Sequence, residues 1–126
     1  MTDNTKILLV DDEEIATQFL KKELEKRGCI VDWAKTSQEA IQLIDANGHA
    51  RYYFDLRLEN SEMSGIELIE HLAKTKPISM MAVVTAYRHG EDALKAMKMG
   101  ITAIIEKTIP SDIMINQIMG FLTQRI

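Results

Sequence analysis

Four short apolar runs in this chain stop abruptly on a polar residue, and segments of helical pattern separate them. Lys6-Ile7-Leu8-Leu9-Val10 halts at Asp11-Asp12, and Tyr52-Tyr53-Phe54 halts at Asp55. Met80-Met81-Ala82-Val83-Val84 halts at Thr85, and the run from Ile101 to Ile105 gives out near Lys107. Apolar runs this short, without polar alternation, read as strands covered on both faces. Cys29 to Ala34 is a fifth strand candidate, in which Cys29, Val31 and Trp33 alternate against Ile30 and Asp32.

The intervening segments carry helix signals. From Glu13 to Arg27, Ile15, Phe19, Leu20 and Leu24 are expected on one apolar face, with Gly28 as the left-handed residue that ends the helix. Thr36-Ser37-Gln38-Glu39 and Ser64-Gly65-Ile66-Glu67 are capping-box patterns. The first opens a helix ended by Asn47-Gly48; the second opens one ended near Pro77. A further helix is expected from Glu91 to Met99, stopped by Gly100, and a last one after Pro110-Ser111 with Ile113, Ile115, Ile118, Met119 and Leu122.

Strands that alternate with helices give an α/β fold with a parallel sheet between two helical layers. Right-handed crossovers leave an open doubly wound sheet or a closed barrel. A barrel needs about eight such units, and this chain has too few. The expectation is therefore a five-stranded parallel sheet in the order 2-1-3-4-5, with helices on both faces.

In such a sheet, ligands sit beyond the carboxyl ends of the strands, at the switch point between strands 1 and 3. The strand-end residues then converge: Asp11 and Asp12, Asp55, Thr85 and Lys107 share one edge. Each alone is an ordinary loop residue; their joint placement is not ordinary. Carboxylates 4 Å apart repel by roughly 4 kcal/mol per pair at an effective dielectric near 20. A hard divalent ion with oxygen ligands would hold them, and magnesium is favoured because it keeps waters and accepts a phosphate oxygen. Asp55 could then act as a nucleophile toward phosphorus, with Lys107 and the Thr85 hydroxyl serving the phosphoryl oxygens.

Length and composition fit this reading without specifying it. The 126 residues suit one domain spanning 1–126, with no output domain expected in this chain. The 46% apolar content supports a sizeable core, and no apolar run approaches the ~20 residues needed to cross a bilayer. No secretory signal opens the chain, and the lone Cys29 cannot form an internal disulfide, so a cytoplasmic setting is expected. A net charge of −4 argues against direct nucleic-acid binding by this domain.

Across nearly its whole length the sequence resembles a response-regulator receiver domain, a two-component signalling module with a flavodoxin-like fold. The residues that carry the resemblance are Ile7-Leu8-Leu9-Val10-Asp11-Asp12-Glu13, Phe54-Asp55-Leu56-Arg57-Leu58, Met63-Ser64-Gly65-Ile66-Glu67-Leu68, Val83-Val84-Thr85-Ala86-Tyr87 and Glu106-Lys107. The resemblance implies that Asp55 is the phosphoacceptor, Thr85 the switch hydroxyl and Lys107 the phosphate-binding ammonium. It implies magnesium bound by Asp12 directly, by Asp11 through water, by Asp55, and by the backbone carbonyl of Arg57. The implied donor is a sensor histidine kinase or phosphotransfer protein. The implied output is a homodimer or effector contact through helix 4, strand 5 and helix 5. Such a domain is no enzyme in the ordinary sense, since it catalyses only its own phosphorylation and dephosphorylation.

Three departures from the family pattern stand out. The segment Glu59 to Met63 is longer than usual and lacks proline, so a mobile loop is expected beside Asp55. Lys107-Thr108-Ile109-Pro110 separates the lysine from the proline that usually follows it, so a trans bond or a reshaped loop is expected after Lys107. Ile104 stands where the family's switching aromatic lies, with Tyr87 a candidate for part of that role; Arg57 and Tyr87 would flank the phosphate entrance.

Competing classes fit less well. A magnesium-dependent aspartyl phosphohydrolase of the haloacid dehalogenase type would carry its nucleophile on strand 1 and add a cap domain. A flavin site would need a Gly/Ser/Thr-rich loop after strand 1, where Asp11-Asp12-Glu13-Glu14 stands. An interaction module that is never phosphorylated is the remaining alternative, kept open by the altered switch position. Trp33 is expected to pack at a strand edge and Cys29 in the core; His49, His71 and His89 share no metal-ligand spacing and are assigned no role. Exposed members among Met97, Met99, Met114 and Met119 would offer an adaptable docking surface.

Overall fold

The computed structural model describes residues 5–107 and 111–123. Its elements alternate along the chain: β1 Lys6–Val10, α1 Glu14–Lys26, β2 Ile30–Ala34, α2 Ser37–Ala46, β3 Arg51–Phe54, α3 Gly65–Leu72, β4 Met81–Thr85, α4 Glu91–Lys98, β5 Ile104–Glu106 and α5 Ser111–Leu122. The strands form one sheet in the order β2-β1-β3-β4-β5, and every pairing is parallel. That is the doubly wound topology expected from the sequence.

The apolar runs are buried on both sides because the pleat sends alternate residues to opposite layers. Leu8, Val10, Tyr52, Phe54, Met81 and Val83 face the cluster that includes Ala40 and Ile44 of α2, Leu68 and Ile69 of α3, and Ala93 and Ala96 of α4. Ile7, Leu9, Tyr53, Ala82, Val84 and Ile105 face Leu20 and Leu24 of α1 and Ile115, Ile118 and Phe121 of α5. Each fully buried aliphatic side chain contributes roughly 1.5–3 kcal/mol. The central Tyr53 satisfies its hydroxyl by donating to the Ile118 carbonyl at 2.9 Å.

One of the two capping boxes closes fully and the other by half, because Glu39 Oε1 accepts the Lys35 N–H instead of that of Thr36. Thr36 Oγ1 accepts the Glu39 N–H, and Ser64 and Glu67 form a reciprocal capping box. Gly28 ends α1 at φ +93, a conformation that costs a residue with a Cβ. At Gly65 the demand is close approach. A Cβ there would overlap the main-chain carbonyl of Asp55 and the Cα of Leu56, so only glycine lets α3 start against that backbone.

Two expectations are corrected. Ile15 and Phe19 do not share the buried face of α1: they are 85% and 49% exposed, while Thr17, Leu20 and Leu24 face the core. At 100° per residue, Ile15 and Leu24 lie half a turn apart, so both cannot face the sheet. Strand β5 is Ile104–Glu106 rather than Ile101–Ile105. Ile101 donates its N–H back to Ala96 at the end of α4, and the chain reaches the ladder only at Ala103, whose carbonyl accepts from Val83. The Lys107-Thr108 bond and Pro110 lie outside the described residues.

Candidate functional site

Asp11 is the first residue beyond β1, and its N–H still donates to Ala34 of β2 at 3.0 Å. Asp55 stands at the matching point beyond β3, with its N–H on the Val10 carbonyl at 2.8 Å. The extended ladder thus places two carboxylates side by side at the centre of the sheet edge. Asp12 completes the cluster: one oxygen from each of Asp11, Asp12 and Asp55 lies within 4.8 Å of the others.

Lys107, just past β5, reaches into this cluster. Its Nζ lies 2.8 Å from Asp11 Oδ2, 3.2 Å from Asp55 Oδ2 and 3.4 Å from Glu13 Oε1. Its main-chain N–H donates to the Thr85 carbonyl at 2.8 Å, which sets the ammonium's reach. The ammonium is largely enclosed. Burial disfavours its charge, yet its hydrogen bond and proximity to Asp11, with Asp55 and Glu13 nearby, raise its pKa above the ordinary lysine value.

Asp55 is 7% exposed. Burial is the main reason its pKa is pushed up to about 6; Asp11 adds to this, while Lys107 and the Arg57 N–H oppose it. That N–H donates to Asp55 Oδ1 at 3.3 Å. Asp11 Oδ1 accepts the Glu13 N–H at 3.0 Å, and Asp12 Oδ2 accepts the Glu59 N–H at 2.8 Å. One ammonium therefore contacts Asp11, Asp55 and Glu13, while Asp12 of the three-carboxylate cluster meets the Glu59 N–H instead. The donor set is all oxygen, converging and under-neutralised, which fits a hard divalent ion.

The cluster opens into a cavity of about 330 Å³ lined by Asp12, Glu13, Asp55, Arg57, Glu59, Ala86 and Tyr87. Arg57 and Tyr87 make one wall, with the guanidinium 4.0 Å from the ring centroid. Thr85 is 1% exposed and lines an adjoining cavity of about 160 Å³ with Leu56, Arg57 and Tyr87. Its hydroxyl oxygen accepts the Tyr87 N–H at 3.1 Å, which leaves its own proton free to donate.

The structure brings Asp11, Asp12, Asp55 and Lys107 into one contact network and sets Thr85 on the strand beside it. Ile104 packs against the core on the α2–α3–α4 side, paired in register with Val83. The loop Glu59–Met63 does not hang loose as the sequence suggested. Ser61 Oγ accepts from Ser37 N–H at 2.8 Å and donates to the Met63 carbonyl, Ser37 Oγ accepts from Met63 N–H, and Gln38 Oε1 accepts from Glu62 N–H. Ser61 in the middle of the loop and Ser37 at the start of α2 supply hydrogen bonds in place of the stiffness a proline would give.

Two residues escaped the sequence reading. Trp33 is more than edge packing: its Nε1–H donates to the Asp11 carbonyl at 2.8 Å. His49 is buried, with Nε2 2.7 Å from Asp32 Oδ2. Neither link has a local spacing signal, because the partners lie far apart along the chain.

A parallel 2-1-3-4-5 sheet with an acidic cluster and a lysine at its carboxyl edge defines a phosphate-handling signalling module. The family description "Response regulator receiver domain" matches residues 7–119, and the chain belongs to that family. It is 34% identical over 106 residues to the photosynthetic apparatus regulatory protein RegA of Cereibacter sphaeroides, covering 84% of this chain and 55% of that protein. A putative NtrX-like response regulator of Rickettsia conorii is 27% identical over 84% of this chain and 22% of its own length. This chain thus spans about half the length of the RegA relative. The non-phosphorylated HemR receiver domain of Leptospira biflexa superposes with a TM-score of 0.86 at 27% identity, covering 98% of each chain. A Burkholderia pseudomallei response regulator, described with a phosphorylated aspartic acid, a calcium ion and citrate, matches with a TM-score of 0.80 at 29% identity over 96% of this chain and 68% of that one.

Proposed function

We propose that Asp55 accepts a phosphoryl group from a phosphohistidine, in a reaction that needs magnesium held by Asp11, Asp12, Asp55 and the Arg57 carbonyl. The observation that carries this reading is the half-satisfied cluster: Asp55 is enclosed, faces the cavity, and shares a single ammonium with Asp11. An Asp55 carboxylate oxygen attacks phosphorus, the phosphorus–nitrogen bond breaks, and the imidazole leaves with the electron pair and takes a proton. When bound, the ion draws charge from the phosphoryl oxygens. Lys107 would move from bridging carboxylates to holding one of those oxygens, and the Thr85 hydroxyl would donate to another. The Burkholderia relative, described with both a phosphorylated aspartate and a divalent cation, is consistent with this chemistry.

The donor would be a sensor histidine kinase or phosphotransfer protein, and the setting the cytoplasm; among the described residues no helix is long and apolar enough to cross a membrane. Turnover is limited to the domain's own aspartyl phosphate. Output would pass through the α4–β5–α5 face, where Leu94 and Met97 are 50% and 39% exposed, to a second copy or an effector. Ile104 is half-buried against the core and has no ring, so this output would not use an aromatic swing at that position.

Intact-mass measurement with magnesium and a small acyl phosphate tests the reading. One added phosphoryl group is expected on wild type and none on Asp55→Asn. An unmodified wild type, with candidate kinases included, would remove the phosphoacceptor claim.

A further inference from the structure

Asp11 lies where the β1–β2 ladder ends. Its main-chain N–H makes the last bond of the ladder, to Ala34, and its carbonyl comes after that bond. Among the described residues no strand neighbour is in register to meet this carbonyl; the Trp33 indole N–H meets it at 2.8 Å from the next strand. The two bonds grip Asp11 from both ends of the residue, and both come from β2. The second fixes the plane of the peptide that joins Asp11 to Asp12. The orientation of that plane sets the directions in which both carboxylates leave the backbone.

The start of the helix that follows holds the Asp11 carboxylate through the Glu13 N–H at 3.0 Å, but does not touch this peptide plane. Glu13, at the start of α1, makes no side-chain cap bond. From outside, Lys35 covers the Trp33 ring at 5.0 Å and reaches Glu14 Oε1 at 3.3 Å, which holds the indole between the loop and the α1 entrance. The donor type is also suited to the task. Tryptophan is a rigid, neutral, donor-only group. A lysine or arginine in its place would bring a second cation beside the acidic cluster and compete with a divalent ion, whereas an indole N–H orients the loop and leaves the charge unchanged.

We infer that Trp33 is a positioning residue for the metal site, fixing the Asp11–Asp12 peptide so that both carboxylates meet the ion; this rests on reading Asp11 and Asp12 as metal ligands. Partners that orient metal ligands typically change affinity 10–100-fold when removed. The lower end applies here, because the bond is made to the backbone of a ligand and not to its carboxylate.

Magnesium titration by calorimetry, with no phosphodonor present, is the test. Four proteins are compared: wild type, Trp33→Phe, Asp12→Ala, and a protein whose Trp33 is replaced by the benzothiophene isostere that carries sulfur in place of the indole N–H. The isostere keeps ring shape and packing, so it reports on the hydrogen bond even where Trp33→Phe disturbs the fold. The expectation is about tenfold weaker magnesium binding for the isostere and for Trp33→Phe, with the isostere's metal-free melting point near that of wild type. Asp12→Ala should bind far more weakly than either. An isostere that binds magnesium as wild type does overturns the positioning role and leaves the metal site standing. A wild type that binds no magnesium, or an Asp12→Ala that binds as wild type does, overturns the site and the inference together.

Discussion

Asp55 and Asp32 are both partly or wholly enclosed carboxylates on neighbouring parts of one sheet, and their surroundings push them in opposite directions. Burial raises the Asp32 pKa, but hydrogen bonds from His49 and Asn47 outweigh it and hold the group below the ordinary range. Both donors converge on Asp32 Oδ2, at 2.7 and 3.0 Å. Since an ionised carboxylate only accepts, Nε2 of His49 carries the proton. At Asp55 burial is deeper and wins, and among the described residues the one ammonium paired with it is shared with Asp11 and Glu13. Dedicated donors hold Asp32 ionised, whereas deeper burial and a shared ammonium leave Asp55 under-compensated, as the proposed metal-dependent role of Asp55 would require.

Substitutions can break this contrast, beginning with the largest effect. Lys107→Met removes the shared cation, and loss of one partner from a largely enclosed ion pair should cost the metal-free protein about 3 kcal/mol in urea unfolding at pH 7. Saturating magnesium should recover much of that loss. A Lys107→Met protein as stable as wild type would show that the carboxylates do not depend on the ammonium.

Asp55→Asn tests the other half. A carboxylate whose folded pKa is raised contributes stability that is full below its unfolded pKa and is lost as pH rises through the folded one. Metal-free wild type should therefore lose stability between about pH 4 and pH 6, by roughly 2 kcal/mol from this group, and Asp55→Asn should lack that slope. Parallel pH profiles for the two proteins would contradict the assignment.

His49→Phe takes one dedicated donor from Asp32 and should cost about 1–2 kcal/mol by thermal unfolding, with magnesium affinity unchanged. A change in that affinity would join two sites that the structure keeps separate. The smallest effect belongs to Arg57→Ala, which loses its contact with the Tyr87 ring, worth about 0.5–1 kcal/mol. Broadened or shifted Tyr87 ring resonances should report it, with the main unfolding transition nearly unmoved.

What could be read from the sequence divides along physical lines. The strand-end residues were legible because a parallel sheet sends all its carboxyl ends to one edge, so Asp11, Asp55 and Lys107 meet whatever the loops do. Helix stops and caps were legible because Gly28, Thr36 and Ser64 act on backbone within a few residues. The outward turn of Ile15 and Phe19 was within reach of a stricter count of helical angles. The indole bond of Trp33 and the serine clasp of the Glu59–Met63 loop were not: each joins residues more than twenty positions apart, and no periodicity records such a pair.

The start of α3 has a consequence for how this chain could vary. Position 65 lies against the carbonyl of Asp55, the proposed phosphoacceptor, so any side chain there would have to displace Asp55 or lift the helix. A saturation scan of residues 64–67 would give an uneven landscape, with several residues tolerated at the exposed Glu67 and a single survivor at Gly65. A lineage could rewrite the surface of α3 freely for new partners, while this one position admits no intermediate step.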